Sequence, residues 1–279
     1  MERKVKKEVT GFRTKDGAGV SLVRVLGPDT ISEYDPILML DSFDSTDPKD
    51  YTKGFPLHPH RGIETISYVY RGQMTHRDSL GNEDTIGDGE VQWMTAGSGI
   101  MHEERLPASE RLLGVQLWLN LPEKDKMIAP AYNSIKRSQI QEIPLEKGKL
   151  RLLAGEYKAY KGYQSMYLPL NYYDIHLDPG ASLTIDTKQD RSIMLFTLLG
   201  EALVGEEKIQ EKTAVKLTEG DQVRISATDQ RAQVLYVSST WLNEPVAWGG
   251  PIVMNTKEEL NQAFRDLDSG TFLKEEIDY

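Results

Sequence analysis

A chain of 279 residues, 39% hydrophobic and 27% charged, is long enough for one large domain or two ordinary ones with real apolar cores, as in a soluble globular protein. A formal charge of −10 argues against direct, non-specific contact with nucleic acid, which needs a basic footprint. The absence of cysteine excludes disulfides, thiolate metal sites and a cysteine nucleophile, and fits a reducing cytoplasm. No run of about eighteen apolar residues offers a membrane span, and the basic opening, residues 1–8, lacks the apolar stretch of a secretory signal.

In chain order, Val20–Leu26 alternates apolar and polar residues and ends in the turn Gly27-Pro28-Asp29, which predicts a strand. Residues 36–44 form a second short apolar run. Residues 64–70, rich in β-branched and aromatic side chains, form a third, closed by the turn Arg71-Gly72-Gln73. Residues 74–80, 91–94 and Leu112–Asn120 continue the series between glycine turns, and Leu121-Pro122 breaks it. Many short strands at regular spacing predict a β-sandwich or barrel. Residues 121–148 are polar, with prolines at 122, 130 and 144, and read as a linker with a helical turn near 138–141. Strands then recur at 150–153, 172–177, 182–185, 193–199, Ala202–Val204, Thr213–Leu217, 222–225 and 233–237.

The halves read as a weak internal repeat. Tyr70-Arg71-Gly72 aligns with Leu198-Leu199-Gly200, and Gly87-Asp88 with Gly220-Asp221. The expected division is a barrel over residues 1–134 and a second over 135–279. The tail is the one clear helix: Thr256-Lys257-Glu258-Glu259 is a capping box, Leu260, Ala263, Phe264 and Leu267 recur at helical spacing, and Gly270 is a stop. The stripe is expected to pack on a barrel.

Four of the five histidines lie in residues 55–104: His58 and His60, His76, and His102. On a strand, i and i+2 share a face. His58 and His60 therefore point together, as do His102 and Glu104. Two adjacent strands would present three imidazoles and a carboxylate to one point, a ligand set for a divalent transition metal with positions left open. By the same parity Glu64 faces with His60 and competes with Glu104. His76 has only Asp78 at i+2 and reads as a structural or surface residue. His176 reads as structural, which leaves the second half free of metal. Ligand type alone does not choose among iron, manganese, cobalt, nickel, copper and zinc. Arg61 is a candidate for steering an anionic substrate, against a salt bridge as the plainer role. Trp93, Met94 and Trp118 are candidates for a pocket wall, against plain core.

Four stretches closely resemble the pirin family of the cupin superfamily: residues 55–65, from Phe55-Pro56 through His58-Pro59-His60-Arg61-Gly62; residues 92–104, through Gly97-Ser98-Gly99 to His102 and Glu104; residues 114–122; and residues 244–256. The likeness runs through almost the entire chain. It implies an all-β bicupin, two stacked β-barrels with a short C-terminal α-helix and metal in the N-terminal barrel. It implies His58, His60, His102 and Glu104 as ligands, iron(II) first among the metals, and Glu104 as the catalytic base; cupins in general often use the glutamate matching Glu64. Some members look like quercetin 2,3-dioxygenases, which open a flavonol ring with dioxygen and release carbon monoxide. The implied partners are then a small aromatic or enediol-like substrate and dioxygen. Others are iron-dependent regulators that bind proteins.

Overall fold

The computed structural model describes residues 1–275, a little over half of them in short antiparallel strands. They form two compact units, one from Arg13–Pro28, Ile37–Arg137 and the chain from Leu242, the other from Met1–Phe12, Asp29–Pro36 and Ser138–Trp241.

In the first unit a seven-stranded sheet runs, in spatial order, Ala131–Ile135, Glu90–Thr95, Ile63–Arg71, Leu112–Asn120, Ile37–Ser45, Val20–Leu26 and Phe12–Asp16. A four-stranded sheet runs Phe55–His60, Ile100–Arg105, Met74–Asp78 and Glu83–Ile86. Central strands such as Leu112–Asn120 are buried along their whole length, which is why their sequence is a near-continuous apolar run. Val20, Leu22, Phe43, Val69, Ile86 and Leu112 belong to one core cluster of this unit.

The second unit repeats the plan. Its larger sheet runs Val5–Thr10, Thr213–Leu217, Arg191–Leu199, Ala232–Thr240, Leu170–Leu177, Gly148–Ala154 and Gln141–Leu145. Its smaller sheet runs Ser182–Asp186, Gln222–Ala227, Ala202–Val204 and Glu207–Ile209. All eight strands expected in the second half are present. The internal repeat is therefore real, and its first anchor, Gly72 with Gly200, holds. Its second anchor is displaced by one strand. The Gly72 N–H donates to Asp88 at 2.8 Å and the Gly200 N–H donates to Glu211 at 2.6 Å, so Asp88 corresponds to Glu211 and not to Asp221.

A single cut at 134/135 does not describe the division. Val5–Thr10 closes the edge of the second unit's large sheet by pairing with Thr213–Leu217, the place that Ala131–Ile135 takes in the first. The terminal helix, Lys257–Asp268, belongs to the first unit: Ala263 is buried with Ile252, Met254 and Phe272, and Leu260 and Leu267 pack on that cluster. Phe264, expected on the same stripe, is 38% exposed. The capping box forms as expected: the Glu259 N–H donates to the Thr256 hydroxyl at 3.2 Å and the Thr256 N–H donates to Glu259 at 2.9 Å. The expected linker carries two strands, Ala131–Ile135 and Gln141–Leu145, and the helical turn lies at Arg137–Gln139. Both are edge strands, half open to water, so their sequences are polar.

Arg61 ties the helix down. Its guanidinium donates to the Ser98 carbonyl at 2.6 Å, the Phe272 carbonyl at 2.8 Å and the Asp266 carboxylate at 2.8 Å, and it stacks 4.2 Å from the Phe272 ring centroid. It is only 2% exposed, so it is a buried clamp and does not steer substrate. Hydrogen bonds from Arg61, then from Gln262 and Lys274, hold the Asp266 carboxyl down at about 2. Because that value lies below the unfolded one, the ion pair's contribution is complete above the ordinary aspartate range and fades as pH falls toward 2. Arg61→Ala should lower unfolding free energy by about 3–5 kcal/mol, the effect of stranding one partner of a buried pair. Urea titration at pH 7 and at pH 2.5 checks it: the deficit of the variant should shrink at the lower pH. A deficit unchanged between the two would mean that lost packing, and not charge, dominates.

Candidate metal centre

The site is built on the smaller sheet of the first unit. Phe55–His60 is its edge strand, which is why Pro56 and Pro59 are tolerated: an edge strand can do without their missing N–H groups. It pairs antiparallel with Ile100–Arg105 so that His102 stands opposite His58. Gly62 leaves the first strand at φ +78°, where an added Cβ would lie 2.0 Å from the Val253 carbonyl. Gly97 enters the second at φ +49°, where a Cβ would lie 2.2 Å from the Ile128 carbonyl. Both turns need glycine for conformation and for space. The Lys126 ammonium braces the first turn through the Gly62 carbonyl at 2.8 Å and the Val253 carbonyl at 3.0 Å, and also meets Asn120.

The ligand-type nitrogens of His58, His60 and His102 lie within 4.8 Å of one another, and their ring centroids are 4.3–5.0 Å apart. Burial pushes the His60 imidazole down to about 3, helped by His58, and pushes His102 well below its ordinary value. Both rings are therefore neutral, the form a metal needs. The tautomers of two are fixed by carbonyls, which only accept. His58 Nδ1 donates to the Pro56 carbonyl at 2.8 Å and His60 Nδ1 to the Pro251 carbonyl at 2.9 Å. Each ring then has a lone pair at Nε2, and these two nitrogens face each other at 3.1 Å. His102 Nε2 is buried with no hydrogen-bond partner among the described residues. Two opposed lone pairs and an orphaned buried nitrogen are an arrangement that a shared cation satisfies, so the residues fit a metal ion.

Glu104 lies two residues beyond His102 on the same buried face, but the pairing with Phe55–His60 is irregular between them, and its carboxylate is not part of the 4.8 Å cluster. Both its oxygens accept from the Gln116 amide, at 3.1 and 3.0 Å, and one also accepts from Gln92. Glu64 is not part of the cluster either. The parity that pointed it at the histidines fails because the Gly62 turn separates the two strands. Burial pushes the Glu64 carboxyl up, only partly offset by hydrogen bonds from Thr95 and Trp93.

His76 is neither exposed nor isolated. It is fully buried, its Nε2 meets Asp78 at 2.7 Å, its Nδ1 lies 3.4 Å from His102 Nδ1, and its ring stacks on Tyr132 at 4.1 Å. The signal was in the sequence: His76-Arg77-Asp78 has the same i, i+2 spacing as the other two pairs, on the neighbouring strand. Gln92 and Gln116, the amides on Glu104, were also missed; nothing in their spacing distinguishes them from core strand residues.

The histidines open on a cavity of about 610 Å3, within the range of small-molecule sites. Met39, Phe55, Trp118 and Trp248 line it with His58 and His60. The Trp118 ring meets His60 edge-on at 4.9 Å and Trp248 at 5.7 Å. Arg24 stands on another wall, bonded to both oxygens of Asp41 at 3.0 and 2.8 Å and to Asp16 at 2.6 Å. Trp93 and Met94, the other expected wall residues, are buried in the barrel and do not reach the cavity. In the second unit the matching strand pair turns Leu183, Ile185, Val223 and Ile225 into an apolar core.

Comparison with known proteins agrees with this construction. Residues 19–119 match the pirin family model and residues 172–273 the pirin C-terminal cupin domain. A pirin-like protein of Caulobacter vibrioides is 40% identical over 275 residues, covering 97% of this chain and 99% of that one. Pirin of Homo sapiens is 35% identical over 272 residues, covering 95% and 92%. A crystal structure of quercetin 2,3-dioxygenase from Acinetobacter baumannii, 32% identical, superposes with a TM-score of 0.90 over 98% of this chain and 99% of that one. Relatives matched from end to end, and a cupin signature in each half, make this chain a member of the pirin family, an all-β bicupin.

Proposed function

We propose that the protein is a metal-dependent dioxygenase of pirin type that opens the ring of a flavonol such as quercetin, with His58, His60, His102 and Glu104 holding one divalent ion, iron(II) foremost. The observation that carries the reading is the cluster of three imidazoles, two of which, His58 and His60, line a cavity walled by two indoles. The likeness to the Acinetobacter enzyme and the donor set support it. A bound ion would act as Lewis acid and as template for dioxygen.

The protein's own groups have separable tasks. Trp118 and Trp248 offer a flat, apolar surface that fits an aromatic ring system and excludes water. His58 and His60 keep their protons on the outer nitrogens by donating to backbone carbonyls, so both inner nitrogens stay available. Glu104 is the base that accepts the proton of the substrate hydroxyl, and Gln116, which lines the cavity, holds that carboxylate in place. Gln92 bonds the same carboxylate from within the barrel. The ring-opening consumes dioxygen and releases carbon monoxide.

Metal-loaded protein incubated with quercetin should bleach the flavonol's visible band and take up oxygen, and His58→Ala should abolish both. Glu104→Gln should lower kcat by about 10²–10⁴-fold, the usual contribution of a positioned base. Absence of turnover with any of several metals across a flavonol panel would favour the other family role, an iron-dependent module that binds a regulatory protein partner. Trp248→Ala should raise KM for the flavonol several-fold and leave kcat nearly unchanged, because the indole touches the ring system and not the reacting atoms. A fall in kcat with KM unchanged would remove Trp248 from the substrate wall.

A further inference from the structure

We propose that Asp78 and His76 form a two-step hydrogen-bond relay that sets the tautomer of His102 and so aims its Nε2 lone pair at the ion; the part concerning the ion rests on the reading above. His58 and His60 each have a carbonyl behind them. His102 has instead a second histidine, 3.4 Å away between Nδ1 atoms. An imidazole can donate or accept there, so the contact by itself fixes nothing. What fixes it is the next residue out.

Asp78 is wholly buried and is an acceptor. Its Oδ1 accepts from the Leu80 N–H at 2.9 Å and the Asn82 N–H at 3.2 Å, and the Asn82 amide reaches both oxygens at 3.1 and 2.9 Å. Its Oδ2 meets His76 Nε2 at 2.7 Å. A carboxylate oxygen requires a proton on that nitrogen. A neutral His76 protonated at Nε2 has a lone pair at Nδ1. The only proton that can occupy the 3.4 Å gap then comes from His102 Nδ1. His102 protonated at Nδ1 has its lone pair at Nε2, the buried nitrogen that no group among the described residues satisfies. With His76 neutral, this is the one assignment that satisfies every contact in the row Asp78–His76–His102. The pairing of the strands supports it, because Ile100–Arg105 lies directly against Met74–Asp78. Tyr132, stacked at 11° on His76, holds the ring plane. His76 and Asp78 are positioning residues, and they give the third imidazole what backbone carbonyls give the other two.

The relay predicts what reversing its outer end does. In Asp78→Asn the Leu80 and Asn82 amides keep the side-chain oxygen at the Oδ1 position, which turns the new NH2 toward His76. His76 must then accept at Nε2 and donate from Nδ1, and His102 must accept at Nδ1 and carry its proton on Nε2, facing the ion. Long-range 15N–1H spectra of the full-length chain, stripped of metal by chelation, read these protons directly. The expected result is Nε2–H on His76 and Nδ1–H on His102 in the natural sequence, with both reversed in Asp78→Asn. Cobalt(II) titration should show affinity about 10–100-fold weaker in Asp78→Asn, the usual effect of losing an outer partner of a metal-bound histidine. His76→Gln, whose amide oxygen can take the same His102 proton, should stay near the natural affinity. Nε2–H on His102, or a doubly protonated His76, in the natural sequence would overturn the relay. So would equal loss of affinity in both variants, which a merely structural role predicts. Spectra as expected in a chain that binds no cobalt would uphold the relay and sink the metal reading alone.

Discussion

Everything in the site follows from one electrostatic constraint, the clustering of three imidazoles of which two, His60 and His102, are held neutral by burial. Burial keeps protons off His60 and His102, and backbone carbonyls take the remaining ring protons of His58 and His60. The Nε2 atoms of the latter pair are then left 3.1 Å apart with nothing to donate between them. Much of the surrounding structure serves to keep the rings from turning away. The edge strand is stiffened by Pro56 and Pro59, its exit at Gly62 is braced by Lys126, and the next residue back, Arg61, is anchored to Ser98, Asp266 and Phe272. The terminal helix thus bears on the site without contributing a ligand.

The two units show how little of a cupin's plan dictates its chemistry. Strand order is the same in both sheets of each. The second unit even has its own pair of the reverse order, Asp-x-His, with His176 Nε2 at 2.8 Å from Asp174 and Gln233 donating to the same carboxylate. What differs is the strand pair that carries the histidines in the first unit. There the second unit places Leu183, Ile185, Val223 and Ile225, and the interior closes as hydrocarbon. Fold and function are separable here at the level of a few inward-facing positions on two strands.

Central strands, the capping box and the His-x-His pair were legible in the sequence because each is a local pattern with a fixed period. Two edge strands were not: Val5–Thr10 and Ala131–Ile135 are half in water, and composition alone passes over the first and reads the second as linker. The exchange of segments between units was invisible for the same reason, since nothing local records which sheet an edge strand completes. Parity arguments held within a strand and failed across a turn. They grouped His58 with His60 correctly, but misdirected Glu64 because Gly62 starts a new strand. Arg61 shows the converse limit. Its position beside the histidines suggested substrate, and only the fold reveals Asp266, more than two hundred residues away, as its partner.

The carboxylate is where geometry and sequence must be weighed together, since neither Glu104 nor Glu64 stands inside the imidazole cluster. Their surroundings differ in kind. Glu104 receives hydrogen bonds on both oxygens from two amides, donors that complement a negative charge and leave it able to accept a proton, because Oε2 takes only one of them and retains a further lone pair. Glu64 sits where desolvation dominates its few donors, which favours the protonated acid. A metal ligand and a general base both need the ionised form, so the environment that supplies donors suits the role and the one that only buries does not. Gln116 adds a spatial reason. It lines the cavity with His58 and His60 and also grips Glu104, so one amide couples the substrate space to the carboxylate behind it. On that argument Glu64 is part of the barrel's interior, and of the two carboxylates Glu104 is the one suited to the proposed proton chemistry.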